Sequence, residues 1–378
     1  MATSNSLPIQ NVINISVANP PTGLASYAVN NLLYATKETP VNLSLGDYTV
    51  YLTPTQVGID WGLSSETYQA ALAVFSQQPN ILTGGGAFIV AGMAGGDTLT
   101  TIYQKIAPQI YFGGMLFGGY QPNDAEMAAG AATFQAAGIL LFLASNDQAE
   151  LTSGHAFFNV QAAGQQYARC LLYTVGALQA RLFAAAYASL GMSTNWAGSA
   201  TAATQQMKNL AGILPDPGIT QTVLTLCQTI GVDIYANFGP LPKLFSTGGN
   251  TYFDQVWGIL WLAGALQVAG FNAIATTNTK IPQTENGIAQ LRNSYTKVLE
   301  QGVVNGFIAP GAWNSPVLFG NPDTLVKSVA NLGYYVYSQP VAQQAQTDRV
   351  ARKAPLIQIA VKLAGAVHSS SVIVYINP

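Results

Sequence analysis

Two glycine clusters carry the residue type that lets backbone amides close around a phosphate, LTGGGAFIVAGMAGGD and YFGGMLFGGYQP. Neither contains GxxxxGKS or GxxxxGKT, and neither has GxGxxG opening a helix, so they read as tight turns and close backbone packing. A glycine-lined nucleotide site of an α/β enzyme is the alternative. The two histidines stand far apart, His155 in TSGHAFF and His368 in AGAVHSSS. His368, Ser369 and a distant acid would compose a triad on paper, but no GxSxG elbow supports it, and a turn histidine bonded to backbone is the plainer reading. Metal binding needs clustered histidine, cysteine or carboxylate, which the sequence lacks, so neither metal nor cofactor is expected. Asp124 with Glu126, and Asp147 with Glu150, fall at helix or strand ends and read as solvated caps. Cys170 and Cys227 lie in apolar contexts and read as reduced core residues. Arg349, Arg352 and Lys353 form the one basic cluster. It would bind an anion, stand as a solvated turn, or face an acidic partner surface; the last is favoured, because the acid-rich half of the same chain supplies such a surface.

The elements that would position these residues alternate. YAVNNLLYAT, GDYTVYLTPTQV, AFIVAGM, PQIYFGGML and ILLFLASND read as strands or extended stretches. SSETYQAALAVFSQQP, DTLTTIYQKIA, NDAEMAAGAATFQAAG, ALQARLFAAAYASLG and TQTVLTLCQTIG read as helices. Ser64 or Ser65 caps the first helix, whose apolar face is Tyr68, Leu72 and Phe75; Asn123 or Asp124 caps the third. VDIYANFG is extended. The alternation argues for an α/β layer. Residues 256–275 are uncharged and long enough to span a bilayer, yet Phe253, Trp257, Leu260, Trp261 and Val268 recur at helical spacing, with Asp254 capping the front. A buried helix and no membrane insertion are expected. Thr284 opens a further helix bearing Ile288, Leu291, Tyr295, Val298 and Leu299. On that helix Lys297 and Glu300 are either lattice contacts or a solvated face. GYYVYSQPV is a strand, and LIQIAVKL has strict period two.

Of 378 residues only 8% are charged. So few charges suit a surface covered by copies of itself, or an ordinary Ser/Thr/Asn/Gln surface. Residues 1–254 carry 6 Lys/Arg against 12 Asp/Glu, and residues 255–378 carry 8 against 4. Opposite signs on two regions suit head-to-tail contacts. No dense basic patch calls for nucleic acid, and the start MATSNSLPIQ has no signal-peptide pattern. Both ends read as strands. One holds Ile9, Val12, Ile13, Ile15 and Val17 and stops at the turn NPPTG. The other holds Val372, Ile373, Val374, Tyr375 and Ile376. A bare terminal strand invites pairing with another chain.

The order of segments resembles the phage contractile tail sheath family, in a branch catalogued as phage proteins of unknown function. SSETYQAALAVFSQQPN, LAGILPDPGITQTVLTLCQTIGVDIYANFG, STGGNTYFDQVWGILWLAGALQ, TKIPQTENGIAQLRNSYTKVLEQGVVNGFIAPGAW and GYYVYSQPVAQQAQTDRVARKAPLIQIAVKLAGAVHSSSVIV carry it. The resemblance implies a mixed α/β (α+β) chain, a multi-layer sheath body with extended N- and C-terminal strand arms. It divides into an arm at 1–20, a body at 21–250, an inner core at 251–355, and C-terminal strands and arm at 356–378. It further implies a structural subunit without catalysis or cofactor, forming hexameric rings in a helical lattice. The partners it implies are the inner tail tube, the baseplate and the tail terminator; the place is the virion, after assembly in the host cytoplasm. Val12, Ile13, Ile15, Val17 and residues 372–376 would enter neighbouring subunits as strands. Arg349, Arg352 and Lys353 would touch the tube or a neighbour.

Overall fold

The computed structural model describes residues 29–43, 47–249 and 251–370. The chain runs β1 (Leu32–Thr36), β2 (Tyr48–Tyr51), α1 (Pro54–Trp61), α2 (Glu66–Phe75), β3 (Phe88–Gly92), α3 (Leu99–Ile106) and β4 (Gly114–Gly118). It continues through α4 (Asp124–Ala137), β5 (Leu140–Ser145), α5 (Ala156–Ala162), β6 (Ala168–Leu172), α6 (Ala177–Gly191), α7 (Gln221–Ile230), β7 (Ile234–Phe238) and β8 (Leu241–Phe245). The last third holds α8 (Phe253–Ala275), α9 (Glu285–Val304), α10 (Pro322–Leu332), β9 (Tyr334–Ser338), α11 (Gln346–Val350) and β10 (Ile357–Val361).

Six strands form one sheet in the order β2-β3-β1-β4-β5-β6. All neighbours are parallel except the edge strand β2, which is antiparallel to β3. Counted along the parallel strands alone the order is 2-1-3-4-5, a doubly wound sheet. Both faces are covered, so β1, β3, β4, β5 and β6 are buried throughout, which is why they read as continuous apolar runs. On β5, Leu141 points toward α4, where Gly130 leaves room for it, while the Phe142 ring meets Tyr187 of α6. The α/β layer expected from the alternation is present, and α5 and β6 add one more helix–strand unit to it.

Three local expectations change. The helix α2 is capped by Ser65 as expected, but it buries Thr67, Ala70, Ala71 and Val74, and Leu72 is exposed. Its partner is the alanine-rich α6, and two small-residue faces approach more closely than faces built on leucine and phenylalanine. GDYTVYLTPTQV is extended only to Tyr51. Pro54 then opens α1, its missing N–H costing nothing in the first turn. The strand expected from PQIYFGGML begins only at Gly114, because Gln109 and Ile110 still donate to the Ile106 carbonyl and finish the turn after α3.

Beyond β6, Asp233 bridges to Leu171 in parallel and the chain turns into the β7–β8 hairpin. α8 and α9 pack side by side. α8 meets the length and composition of a membrane span, yet it buries Phe253, Trp257, Leu260, Trp261 and Leu266 within the protein. Its N-cap is Tyr252 rather than Asp254, which lies in the first turn of the helix. α10 covers the antiparallel pair β9–β10 through a small core of Leu325, Val329 and Ala360.

Candidate functional site

Ligands of doubly wound sheets bind where the strand order reverses, here at the carboxyl ends of β1 and β4. That crevice is filled by side chains of the protein. Glu38, just past β1, accepts the Glu66 N–H at 2.8 Å, the Thr67 N–H at 2.7 Å and the Thr67 hydroxyl at 2.6 Å. Its negative charge therefore rests on the first amides of α2, the place a ligand phosphate takes in such folds. Glu66 in turn accepts a fork from Arg181 of α6, at 2.6 Å from Nε and 2.8 Å from Nη2. The glycine at the end of β4, Gly118, makes room for the Tyr34 hydroxyl, which donates to Glu66.

The device recurs along the same edge. Glu126 accepts the Leu99 N–H at the start of α3, at 3.0 Å, and the Tyr120 hydroxyl at 2.8 Å. Glu150, only 5% exposed, accepts the Phe157 N–H of α5 at 3.1 Å. Burial pushes the Glu150 carboxyl above its usual range, partly offset by that amide. In the loop after β3, Asp97 accepts from Ala94 N–H and Lys105. Burial would raise the Asp97 carboxyl, but the bonds from Lys105 and Ala94 outweigh it and hold it low. So Glu126 and Glu150 are tertiary caps, not the solvated ones expected. Asp147 does cap locally, on Ala149 N–H, and Asn123, not Asp124, caps α4. In the other glycine cluster, a side chain at Gly86 would strike the Asn30 backbone, so this glycine serves close packing.

His155 pairs with Asp124 at 3.1 Å, both partly exposed. His368 shares a hydrogen bond of 2.9 Å with the Thr204 hydroxyl and meets the Tyr252 ring edge-on at 4.4 Å between centroids. It is held by side chains rather than by backbone, which corrects the sequence reading. Among the described residues no acid and nucleophile complete a triad on either histidine. Cys170 and Cys227 are buried and free, and burial pushes both thiols up to about 12. The strongest buried charge cluster escaped the sequence reading: Arg169 Nη2 lies 3.0 Å from Asp233, which also accepts from Tyr187 and Thr247. It ties β6 to α6 and to the start of β7; nothing in the sequence spacing of these residues signals it.

The C-terminal third presents an open sheet edge. β9 and β10 form a two-stranded sheet. Bonds from Gln339 N–H to Leu356 and from Lys362 N–H to Gly333 fix which residues face inward. By alternation, Ile357, Ile359 and Val361 turn their N–H and C=O groups away from β9. Residues 307–309 continue the β9 side, with Ala309 N–H on Lys362 and Ala364 N–H on Phe307. Among the described residues, no strand pairs with the other edge of β10. Between β9 and β10, Arg349, Arg352 and Lys353 are exposed. Lys353 pairs with Asp348 at 3.3 Å; Arg349 and Arg352 have no ion pair among the described residues. The acids of residues 1–254 are mostly engaged internally, as with Glu38, Glu66, Asp97, Asp216 and Asp233, while Asp47 and Asp147 stay exposed. The acid-rich half thus offers less free negative surface than its composition suggests. Val12, Ile13, Ile15, Val17 and residues 372–376 lie outside the described residues.

Comparison with known proteins agrees with this layout. Residues 253–376 match the family model described as the E217 tail sheath protein gp31-like C-terminal domain. No curated protein matches by sequence. Among solved structures, a chain in the cryo-EM structure of the anti-feeding prophage baseplate, 6-fold symmetrised, superposes with a TM-score of 0.62 at 14% identity. The match covers 97% of this chain and 98% of that one. A chain from the same baseplate in its contracted state gives 0.63 at 14% identity, over 96% and 98%. A sheath-type C-terminal sequence and a whole-chain fold shared with a contractile assembly make the resemblance explicit: this chain is similar to the phage contractile tail sheath proteins.

Proposed function

We propose that the protein is a structural subunit of a bacteriophage contractile tail sheath, stacked as hexameric rings around an inner tail tube and joined to its neighbours by strand exchange. The observation that carries this reading is the open edge of β10. A two-stranded sheet is marginal by itself and gains stability when further strands join it. A strand from a neighbour would satisfy the outward amides of Ile357, Ile359 and Val361 while its side chains fill pockets on alternate faces. Residues 372–376 suit that role: Val372, Val374 and Ile376 would face one way, Ile373 and Tyr375 the other. Val12, Ile13, Ile15 and Val17 would do the same from the other end. The arm at 1–20, body at 21–250, inner core at 251–355 and terminal strands at 356–378 then act as separate parts of the lattice. Arg349, Arg352 and Lys353 face the tube or a neighbouring subunit, Arg349 and Arg352 having no ion pair among the described residues, with the baseplate and tail terminator closing the lattice at its ends. Contraction is a rigid-body rotation of bodies between two packings, with the paired strands staying joined. No nucleotide is consumed in that step. The filled crevice beside Glu38 weighs against the alternative, an enzyme with a glycine-lined nucleotide site. Assembly takes place in the host cytoplasm, and the product is part of the virion.

Negative-stain electron microscopy of the intact chain beside a version ending at Ser369 tests this. Long hollow polymers or rings from the first and dispersed particles from the second are expected. Equal polymerisation of both overturns strand exchange through the C-terminal segment. Monomers from both at high concentration, with a thermal shift on adding a nucleotide, restore the enzyme.

A further inference from the structure

Past β10 the chain runs out of backbone partners. Ala364 N–H donates to the Phe307 carbonyl at 2.9 Å, and among the described residues no backbone bond follows it. The chain turns at Gly365, where φ is +69°. Residues 364–367, 369 and 370 are exposed, Val367 at 87%. His368 interrupts this run and is half-buried. Its Nε2 lies 2.9 Å from the Thr204 hydroxyl, its ring meets Tyr252 edge-on, and its Nδ1 is closed off from solvent. Within AGAVHSSS it is the one side chain that combines reach, a hydrogen-bonding edge and an aromatic ring. The seat that receives it is fixed. Ala202 N–H donates to the Asn305 carbonyl after α9, Met207 N–H to Leu244 of β8, and Leu244 N–H back to Lys208, so the loop presenting Thr204 is tied on both sides. Tyr252 caps α8, its carbonyl accepting the Gln255 and Val256 N–H groups.

We propose that His368 is the peg of a strap: it fastens residues 365–370 to their own subunit at Thr204 and Tyr252, and so sets the direction in which the chain leaves the body. Only residues 365–367 lie between the fastened points Ala364 and His368, so closing that loop sacrifices little chain entropy. Without the peg, everything after Ala364 would swing freely about one bond. With it, the chain that follows starts from a fixed point on the surface between α8 and β8. A fixed start raises the effective concentration of the following segment at whatever surface it meets, and lowers the ordering cost of binding there. In a sheath this aims the donated strand at the next subunit. That consequence rests on the sheath reading; the peg itself concerns one chain alone.

The peg is tested on the dispersed full-length chain with elastase, which cuts after small residues, by following cleavage after Ala366 and Val367 through the mass lost. Thr204→Val with Tyr252→Leu removes both contacts and leaves the cut sequence as it is. The pair should speed the cut about 5- to 30-fold, the factor that follows from losing one hydrogen bond and one ring contact. Thr204→Ser, which keeps the hydroxyl, should cut at the parent's rate. Equal rates for the parent and the double variant overturn the peg. A second readout uses the fact that the chain has two histidines. In proton NMR, with the His368 ring signals identified by their loss in His368→Ser, Tyr252→Leu should shift those signals and leave those of His155 in place; unmoved His368 signals also overturn the peg. For the aiming role, His368→Ser should raise the protein concentration needed for polymers in negative stain several-fold while giving polymers of the parent's form. An equal threshold overturns the aiming role. Absence of polymers from the parent overturns the sheath reading and the aiming role with it, while the elastase rates still decide the peg.

Discussion

At the scale of single residues, most acids of residues 1–254 serve as hydrogen-bond acceptors inside the protein. Glu38 is the sharpest case, since three donors converge on its carboxylate. Glu38→Ala should cost about 1.5–3 kcal/mol in a urea melt, the range for hydrogen bonds to a charged group. It should also leave the α2 amides open, so that sulfate, which steadies folded proteins in general, raises the melting temperature of the variant more than that of the parent. Asp97 gives a prediction in pH. Its carboxyl is held below the ordinary value in the folded chain, by Lys105 and the Ala94 amide against burial. A depressed acid contributes stability above its unfolded pKa of about 4 and loses it as pH falls through the folded value. The parent should therefore lose melting temperature more steeply between about pH 5 and pH 2.5 than Asp97→Asn does. A parallel decline in both would show that Asp97 contributes nothing. The sequence showed these acids but not their partners, because Glu38 and Glu66, or Arg169 and Asp233, meet only through the sheet.

At the scale of elements, period and capping were the readable signals. Ser65, Asn123 and Thr284 cap α2, α4 and α9 as their positions in the sequence suggest. Which face of α2 is buried was not readable, because an alanine face packing on an alanine face carries no strong hydrophobic period. The strict alternation of LIQIAVKL marked β10 as a strand, but only its register with β9 shows that Ile357, Ile359 and Val361 point their amides outward. That register yields a discriminating variant. Ile359→Pro removes an N–H on the open edge and none of the bonds to β9, a position where a strand tolerates proline. The variant should keep its far-ultraviolet circular dichroism and monomer fold while losing polymers in negative stain. Polymers of normal length would move strand addition elsewhere.

At the scale of the whole molecule, a doubly wound layer and a helix–sheet unit from Phe253 onward share one chain. The first has the topology of a ligand-binding fold with the reversal point closed by its own carboxylates; the second keeps a sheet edge open. That division suits a rigid body carried by a lattice-forming part. Removal of residues 1–20 should leave the melting temperature of the dispersed chain within about 2 °C, since under 1 kcal/mol moves a chain of this size by no more than that. The same deletion should abolish long polymers. A large fall in melting temperature would mean instead that the segment belongs to the core of its own subunit.

The sequence by itself determined the α/β alternation, the helix starts, the buried nature of α8, the unreactive setting of the cysteines and the likeness to tail sheath proteins. These are properties of neighbours along the chain, or of a collinear pattern, and local propensity and hydrophobic period record them. The tertiary structure decided the 2-1-3-4-5 strand order, the capping of helices by distant carboxylates, the seat of His368 on Thr204 and Tyr252, and the free edge of β10. Each of these depends on which segments meet in space, and a meeting between residues 28 or 115 positions apart leaves no period in the sequence to read.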